Sequence, residues 1–342
     1  VISEEDFLND SSWIDLLKLR ASYGISGTDS SPRSLAYLST VNTQAGYAGN
    51  TGIALTGLAN PDLKWEELSQ FNIGADLNAF GNSFGISFDY YIKETSDILL
   101  AANTPLTAGL NPSVVNVGSV KNSGVEVSLS YNKSYEDFSW NAQLGVGYND
   151  NEVTSLGNNG QALTGGLTGP LYSDPITLTA IGHPISSFYG YEVEGIDAMG
   201  NLLFKDLDGS GNDKTKPNSG DKTFIGKPLP DFTAGLNLGA KYKGFDFMTF
   251  FYAASGNDIF DATIRYDAIG SNRPKSYSQE GAPRNMAVAA PGDSNGENLV
   301  SDFHVKDGSF IKLKNAAIGY SLPDDVVEKI KADRIRFYVS GQ

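Results

Sequence analysis

Nine short stretches of the chain alternate apolar and polar residues with a period of two, and this pattern constrains the fold more tightly than anything else in the sequence. In Phe84, Ile86, Phe88, Tyr90 and Ile92 one face is aromatic or aliphatic, while Gly85, Ser87, Asp89 and Tyr91 make the other. Successive side chains of an extended strand point to opposite faces, so each stretch reads as a two-faced β-strand. The pattern recurs from Leu17 to Ile25, Phe71 to Leu77, Val125 to Tyr131, Phe138 to Tyr148, Leu236 to Tyr242, Phe245 to Phe251 and Ile335 to Val339. A less regular copy runs from Ile311 to Tyr320.

The connections between these stretches alternate strictly between short and long. The short ones are Gly81 to Ser83, Lys133 to Asp137, Lys243-Gly244 and Leu322 to Asp333; the long ones cover roughly 27–64, 100–120, 151–230 and 256–308. An up-and-down transmembrane barrel produces this order, because every second hairpin closes on the same side of the membrane, with short turns in the periplasm and long loops outside. Greek-key crossings in a soluble sandwich would scramble it. The expected fold is therefore an all-β antiparallel barrel wall with long extracellular loops. Strands starting near Leu16, Phe84, Phe138, Phe245 and Arg334 run outward and the other four inward. A bacterial single-chain barrel closes with an even number of strands, so nine make an incomplete wall, and residues 1–342 are expected to be a partial barrel domain.

Composition fits this reading and removes several others. The chain is 40% hydrophobic and 19% charged, which is not a disordered composition. It has no run of 18 apolar residues, which excludes a transmembrane helix but does not bear on barrel strands. A formal charge of −15 argues against nucleic acid as a partner, since phosphate binding needs clustered Lys and Arg. The absence of Cys excludes a disulfide scaffold, a thiolate zinc site and a cysteine nucleophile. His183 and His304 have no companion at metal-ligand spacing, and no nucleophile elbow or carboxylate dyad is recognisable, so no catalytic residues and no enzymatic activity are expected. Gly145-x-Gly147 lies inside a strand and cannot be a phosphate-binding turn.

Several phrases resemble the C-terminal barrel region of the SusC/RagA family of TonB-dependent outer-membrane transporters. They are Leu17 to Gly27 (LKLRASYGISG), Asn60 to Glu66 (NPDLKWE), Asp89-Tyr90-Tyr91 with Thr95 to Leu100, and Gly118 to Glu126. Phe188 to Tyr191, Ile225-Gly226 with Pro230, Tyr242 to Asp246 and Gly308 to Asn315 follow in the same order. The resemblance implies a plugged barrel of about 22 strands that imports oligosaccharides or peptides. It also implies a SusD-like lipoprotein lid over the mouth, a TonB complex as energy source, and outer-membrane lipid around the wall. No plug or TonB box is found in the sequence, and a fragment or processed chain is expected. The alternative reading is a soluble surface β-sandwich or solenoid module that binds carbohydrate.

Two groups of residues are candidates for ligand contact. Trp65, Tyr37, Tyr47, Phe188, Tyr189 and Tyr191 lie at or near loop bases, where they would stack on a sugar, touch a partner, or simply pack the loop. Asp206, Asp208, Ser210 and Asn212 begin as a calcium loop begins, with Gly211 at its sixth position. Pro217 stands where the bidentate Glu belongs, so calcium would require Asp213 or Asp221 to fold back, against the plain reading of an Asx/Gly turn. The segment from Ile185 to Ile196 has the composition of an additional strand, and Pro323 to Ala332 that of a short helix.

Overall fold

The structure, a computed structural model, describes all residues except 7, 9–10, 29–36, 48, 103–109, 111–112, 167–173, 199–200, 264–295, 297–298 and 330, and the side chains at 47, 100–102, 113 and 158–159. Part of the expected loop 256–308 therefore lies outside the described residues, as does the side chain of Tyr47.

The first wall strand, β1 (Ile14–Thr28), is followed by an outer hairpin of β2 (Thr40–Tyr47) and β3 (Asn50–Gly57) and then by the wall hairpin β4 (Glu66–Ala79) and β5 (Phe84–Ser96). A second outer hairpin, β6 (Leu99–Ala102) and β7 (Ser113–Asn116), leads into the wall pair β8 (Gly118–Ser134) and β9 (Phe138–Leu156). The next long connection holds β10 (Leu163–Gly165), β11 (Thr177–Thr179), β12 (Ser187–Tyr191), β13 (Val193–Ile196), β14 (Leu202–Phe204) and β15 (Lys222–Gly226). The wall resumes with β16 (Phe232–Tyr242) and β17 (Phe245–Ser255). A last outer pair, β18 (Asp258–Phe260) and β19 (Val305–Asp307), precedes β20 (Phe310–Ser321), a short helix (Asp324–Lys329) and β21 (Arg336–Gly341).

Nine of these strands form one sheet in the order β1-β4-β5-β8-β9-β16-β17-β20-β21, each antiparallel to its neighbour. Wall strands are thus adjacent in chain order, as the alternating connections require. The turns follow from their residues: Lys243 and Gly244 both have positive φ (45° and 88°), the backbone of a tight two-residue hairpin turn. β8 and β9, at 17 and 19 residues, are longer than the roughly ten that the alternation marks, and they continue outward past the apolar band.

Register aligns the alternation across the whole wall. One apolar row runs Leu19, Ala75, Phe88, Val127, Val146, Ala234, Ala253 and Ile311 through consecutive strand pairs. Another runs Phe138, Tyr242, Phe245, Tyr320 and Phe337 near the short turns. Along β9 the apolar face extends from Phe138 to Tyr148; ten residues at about 3.4 Å each, tilted by about 40°, span roughly 26 Å, the height of a barrel's lipid-facing band. Aromatic rings mark its two ends, with Tyr131 and Trp140 4.8 Å apart at one and Tyr148 and Phe232 5.0 Å apart at the other.

The irregular copy at Ile311 to Tyr320 has a local cause. The β17–β20 register shifts between Phe250 and Phe251, so that Leu313 and Ala316 take successive places on one face and Lys314 is the extra residue. A sandwich is not what forms, because no second sheet covers the apolar face among the described residues: Leu19 is 62% exposed and Val339 74%. The helix expected at Pro323 to Ala332 is present and buries Val327, and the strand expected at Ile185 to Ile196 is two strands, β12 and β13.

Val127 and Ser128 are consecutive on β8 but face opposite sides. In lipid bilayers, Val127→Arg should lower unfolding stability by about 2–4 kcal/mol, whereas Ser128→Arg should cost less than about 1 kcal/mol. Equal losses by denaturant titration would assign the faces wrongly.

Candidate functional site

The face opposite the apolar band carries polar residues that meet across strands. Arg20 of β1 donates from Nε to Asp76 of β4 at 2.8 Å, and its Nη2 reaches Asp89 of β5 at 2.9 Å and Ser87 at 3.1 Å. To reach Asp89 the guanidinium crosses a whole strand. It passes over Gly74, where a Cβ would stand 2.3 Å from Asp89 Oδ1 and 2.8 Å from the Phe88 carbonyl oxygen. The same device recurs at the other end of the sheet. Arg336 of β21 crosses Gly319 of β20 and donates from Nε to Asp246 of β17 at 2.8 Å.

A third crossing leads from the wall toward the outer loops. The Tyr91 ring lies over Gly124, and its hydroxyl donates to Asn149 Oδ1 at 2.8 Å. Asn149 and Asn151 both donate to Asn122 Oδ1, and Asn151 Oδ1 in turn accepts the Ile185 backbone N–H at 2.9 Å. Val153, fully buried, exchanges backbone hydrogen bonds with Gly182 and His183. The segment around 182–185 is therefore fastened onto the polar face of β9. No motif in the sequence marks Arg20, Asp76, Asp89, Asn122 or Asn151 as site residues. Their signal was their place on the polar face of the alternation, and it does not say which of them meet.

Beyond that segment the long connections fold into an extracellular lobe. β10, β11, β12 and β15 form a four-stranded sheet, and β13 pairs with β14. Ile176, Phe188 and Val300 make one small core with Ile225, Phe260, Ala262 and Val305; Tyr191, Leu202 and Phe204 make another with Val193, Leu299 and Phe303. Chain segments more than 100 residues apart are joined here, since Tyr191 N–H donates to the Val300 carbonyl and Val193 N–H to Asp302 Oδ1. Burial pushes the Asp302 carboxyl above its ordinary range, opposed by that N–H.

The aromatic candidates separate accordingly. Phe188 and Tyr191 are core residues of the lobe, 8% and 5% exposed, and take the packing role. Tyr189 is half-buried and meets Phe224 edge-on at 5.3 Å, while His183 stacks on Phe224 at 3.7 Å. Tyr37 and Trp65 are exposed on the outer rim, and the indole of Trp65 lies over Gly27.

The acidic loop brings Asp206, Asp208 and Asp221 together, with carboxylate oxygens within 4.8 Å of one another. Asp221 is buried; it accepts from the N–H groups of Leu207 and Asn218, and its hydrogen bonds hold its carboxyl below the usual range. Hydrogen bonds from Ser210 and Asn218 lower Asp208 to about 2. Ser210 Oγ accepts from the Asn218 amide, beside the carboxylates. Asp213 is turned into its own capping interaction with Thr215 and does not belong to the converging group.

Residues 10–340 match the family described as TonB dependent receptor-like, beta-barrel. The chain belongs to this family. It is 34% identical over 361 residues to TonB-dependent receptor P3 of Formosa agariphila, covering all of this chain and 36% of that receptor. It is 28% identical to TonB-dependent receptor SusC of Bacteroides thetaiotaomicron, covering 94% of this chain and 33% of SusC. The solved RagAB peptide transporter superposes with a TM-score of 0.81 at 27% identity, over 98% of this chain and 38% of the transporter chain. The chain thus spans about a third of the length of these relatives. As a SusC/RagA-like barrel its wall lies in the outer membrane, with the apolar face toward lipid and the Arg20 face toward the lumen.

Gly74→Ala should lower stability by about 1–3 kcal/mol, because the new methyl group meets backbone and an ion-paired carboxylate. Gly145→Ala, whose Cβ meets nothing nearer than 4.0 Å, should change it by less than about 0.5 kcal/mol. Denaturant unfolding of the two variants in the same lipid gives the comparison.

Proposed function

We propose that the chain is part of the wall, together with several of the outer loops, of an energised importer that brings oligosaccharides or peptides through the outer membrane. The observation that carries this reading is the combination of a lipid-faced wall with a folded lobe fastened to its lumenal side. A pore needs only the wall, whereas a selective importer needs structure at the mouth to hold cargo. The names of the relatives, receptors and a peptide transporter, support binding and passage rather than chemistry. On this reading the remaining barrel strands and a plug complete the pore, a SusD-like lipoprotein covers the lobe and rim, and a TonB complex supplies the energy.

The test is uptake. Cells lacking the protein should lose uptake of one class of labelled oligosaccharide or peptide, and a protonophore should abolish that same uptake in wild-type cells. Uptake unchanged across both panels would overturn the reading, as would uptake indifferent to the protonophore.

We also propose calcium as the ligand of the acidic loop. Asp206, Asp208 and Asp221 support it by their convergence, and the lowered carboxyls of Asp208 and Asp221 favour the ionised state. Calcium should slow proteolysis within 206–221 in the wild-type protein and have no effect in Asp206→Asn. Cleavage at the same rate with and without calcium in the wild type would exclude it.

A further inference from the structure

The lumenal wall holds a depression of about 340 Å³ between β8, β9, β16 and β17. Gly145 and Gly147 form its floor. Glu126 and Ser128 of β8 stand on one side, with Thr233 of β16 and Phe250 and Tyr252 of β17 on the other. Register puts all of these on the polar face: Glu126 lies opposite Gly147, Ser128 opposite Gly145, and Gly235 opposite both Gly145 and Tyr252.

The two floor glycines differ from most other glycines of the wall, although Gly24 and Gly341, on the edge strands β1 and β21, are open as well. At Gly74, Gly124 and Gly319 a neighbouring side chain fills the place of the missing Cβ, and at Gly235 the Phe250 ring does so at 3.2 Å. At Gly145 a Cβ would meet only Ser128 Oγ at 4.0 Å, and at Gly147 only Thr233 Oγ1 at 3.4 Å and Glu126 Cγ at 3.9 Å. Neither has a positive φ. Among the described residues neither packing nor backbone conformation demands glycine at these positions, yet glycine weakens a strand, and inside one it commonly marks where a ligand approaches the backbone.

The walls of the depression have a definite chemistry. Tyr252 is held from two sides, by Phe310 at 5.8 Å between ring centroids and by Lys314 Nζ at 5.2 Å from its centroid. Phe250 is braced on Gly235. Fixed aromatic surface and one hydroxyl on one side, a carboxylate and a second hydroxyl on the other, and a flat floor between them suit a ring that is apolar on its face and hydroxylated at its edge.

We infer that this depression is a subsite for a neutral saccharide ring, stacked against Phe250 and Tyr252, with Glu126, Ser128 and Thr233 bonded to its hydroxyls. The inference rests on the importer reading above and names a cargo class and a resting place along the lumen.

The test uses the intact outer-membrane protein in detergent, titrated calorimetrically with neutral malto-, cello-, laminari- and xylo-hexaose and with a neutral hexapeptide. Gly145→Leu fills the floor without a backbone clash, and Tyr252→Ala removes the stacking surface; thermal unfolding checks that both fold. The expected result is binding of at least one hexaose and its weakening by tenfold or more in both variants, with the melting temperature unchanged. Unaltered affinity in both folded variants overturns the subsite, as does failure of every hexaose to bind the wild type. Normal sugar affinity with a lowered melting temperature would mean that protein, not sugar, fills the depression. In each of these cases protonophore-sensitive uptake by cells would leave the importer reading standing.

Discussion

The bilayer core offers a strand's backbone no hydrogen-bonding partner, so every N–H and C=O of the wall must be met by an adjacent strand. That requirement makes register unforgiving here. A slip of one residue would turn Leu19, Val127 or Ile318 inward and Arg20, Glu126 or Asp246 into lipid. Where the β17–β20 ladder does slip, it does so by a single bulge that puts Lys314 on the lumenal side and restores the apolar face on either side of it.

With the faces so committed, the lumenal side is where polar side chains can cross between strands, and glycine makes the crossings possible. Arg20 over Gly74, Tyr91 over Gly124 and Arg336 over Gly319 each join strands that are not neighbours in the sheet. The ion pairs are partly exposed and individually worth little; their value is geometric, because each crossing closes only in one register of three strands. The familiar phrases in the sequence coincide with these points. LKLRASYG contains Arg20, Asp89-Tyr90-Tyr91 supplies two of the partners, and Gly118 to Glu126 contains both Asn122 and Gly124.

The lobe obeys a different physics. Outside the bilayer its backbone can reach water, so its strands are short and its stability comes from two small apolar clusters. Val300 and Leu299 close those clusters from the far end of a long connection, and the fully buried Val153 with the Asn122–Asn151 amides ties the lobe to the wall. Rim residues such as Trp65 and Tyr37 remain exposed.

The sequence by itself determined the wall: nine strands, their directions, which face meets lipid, and which side holds the long loops. Those properties follow from a period of two and from connection length, both local quantities that a linear chain displays. Tertiary structure alone decided which polar residues meet. The sequence could place Phe188 and Tyr191 at a loop base but could not show that a segment near Val300 would bury them. It could count the oxygens of the acidic loop but not show Asp221 joining Asp206 and Asp208 while Asp213 turned to Thr215. It showed Gly145 as one more strand glycine, although only the neighbours' positions distinguish an open floor from a filled one. Contacts of this kind depend on distances between residues far apart in the chain, and those distances are set when the strands pair.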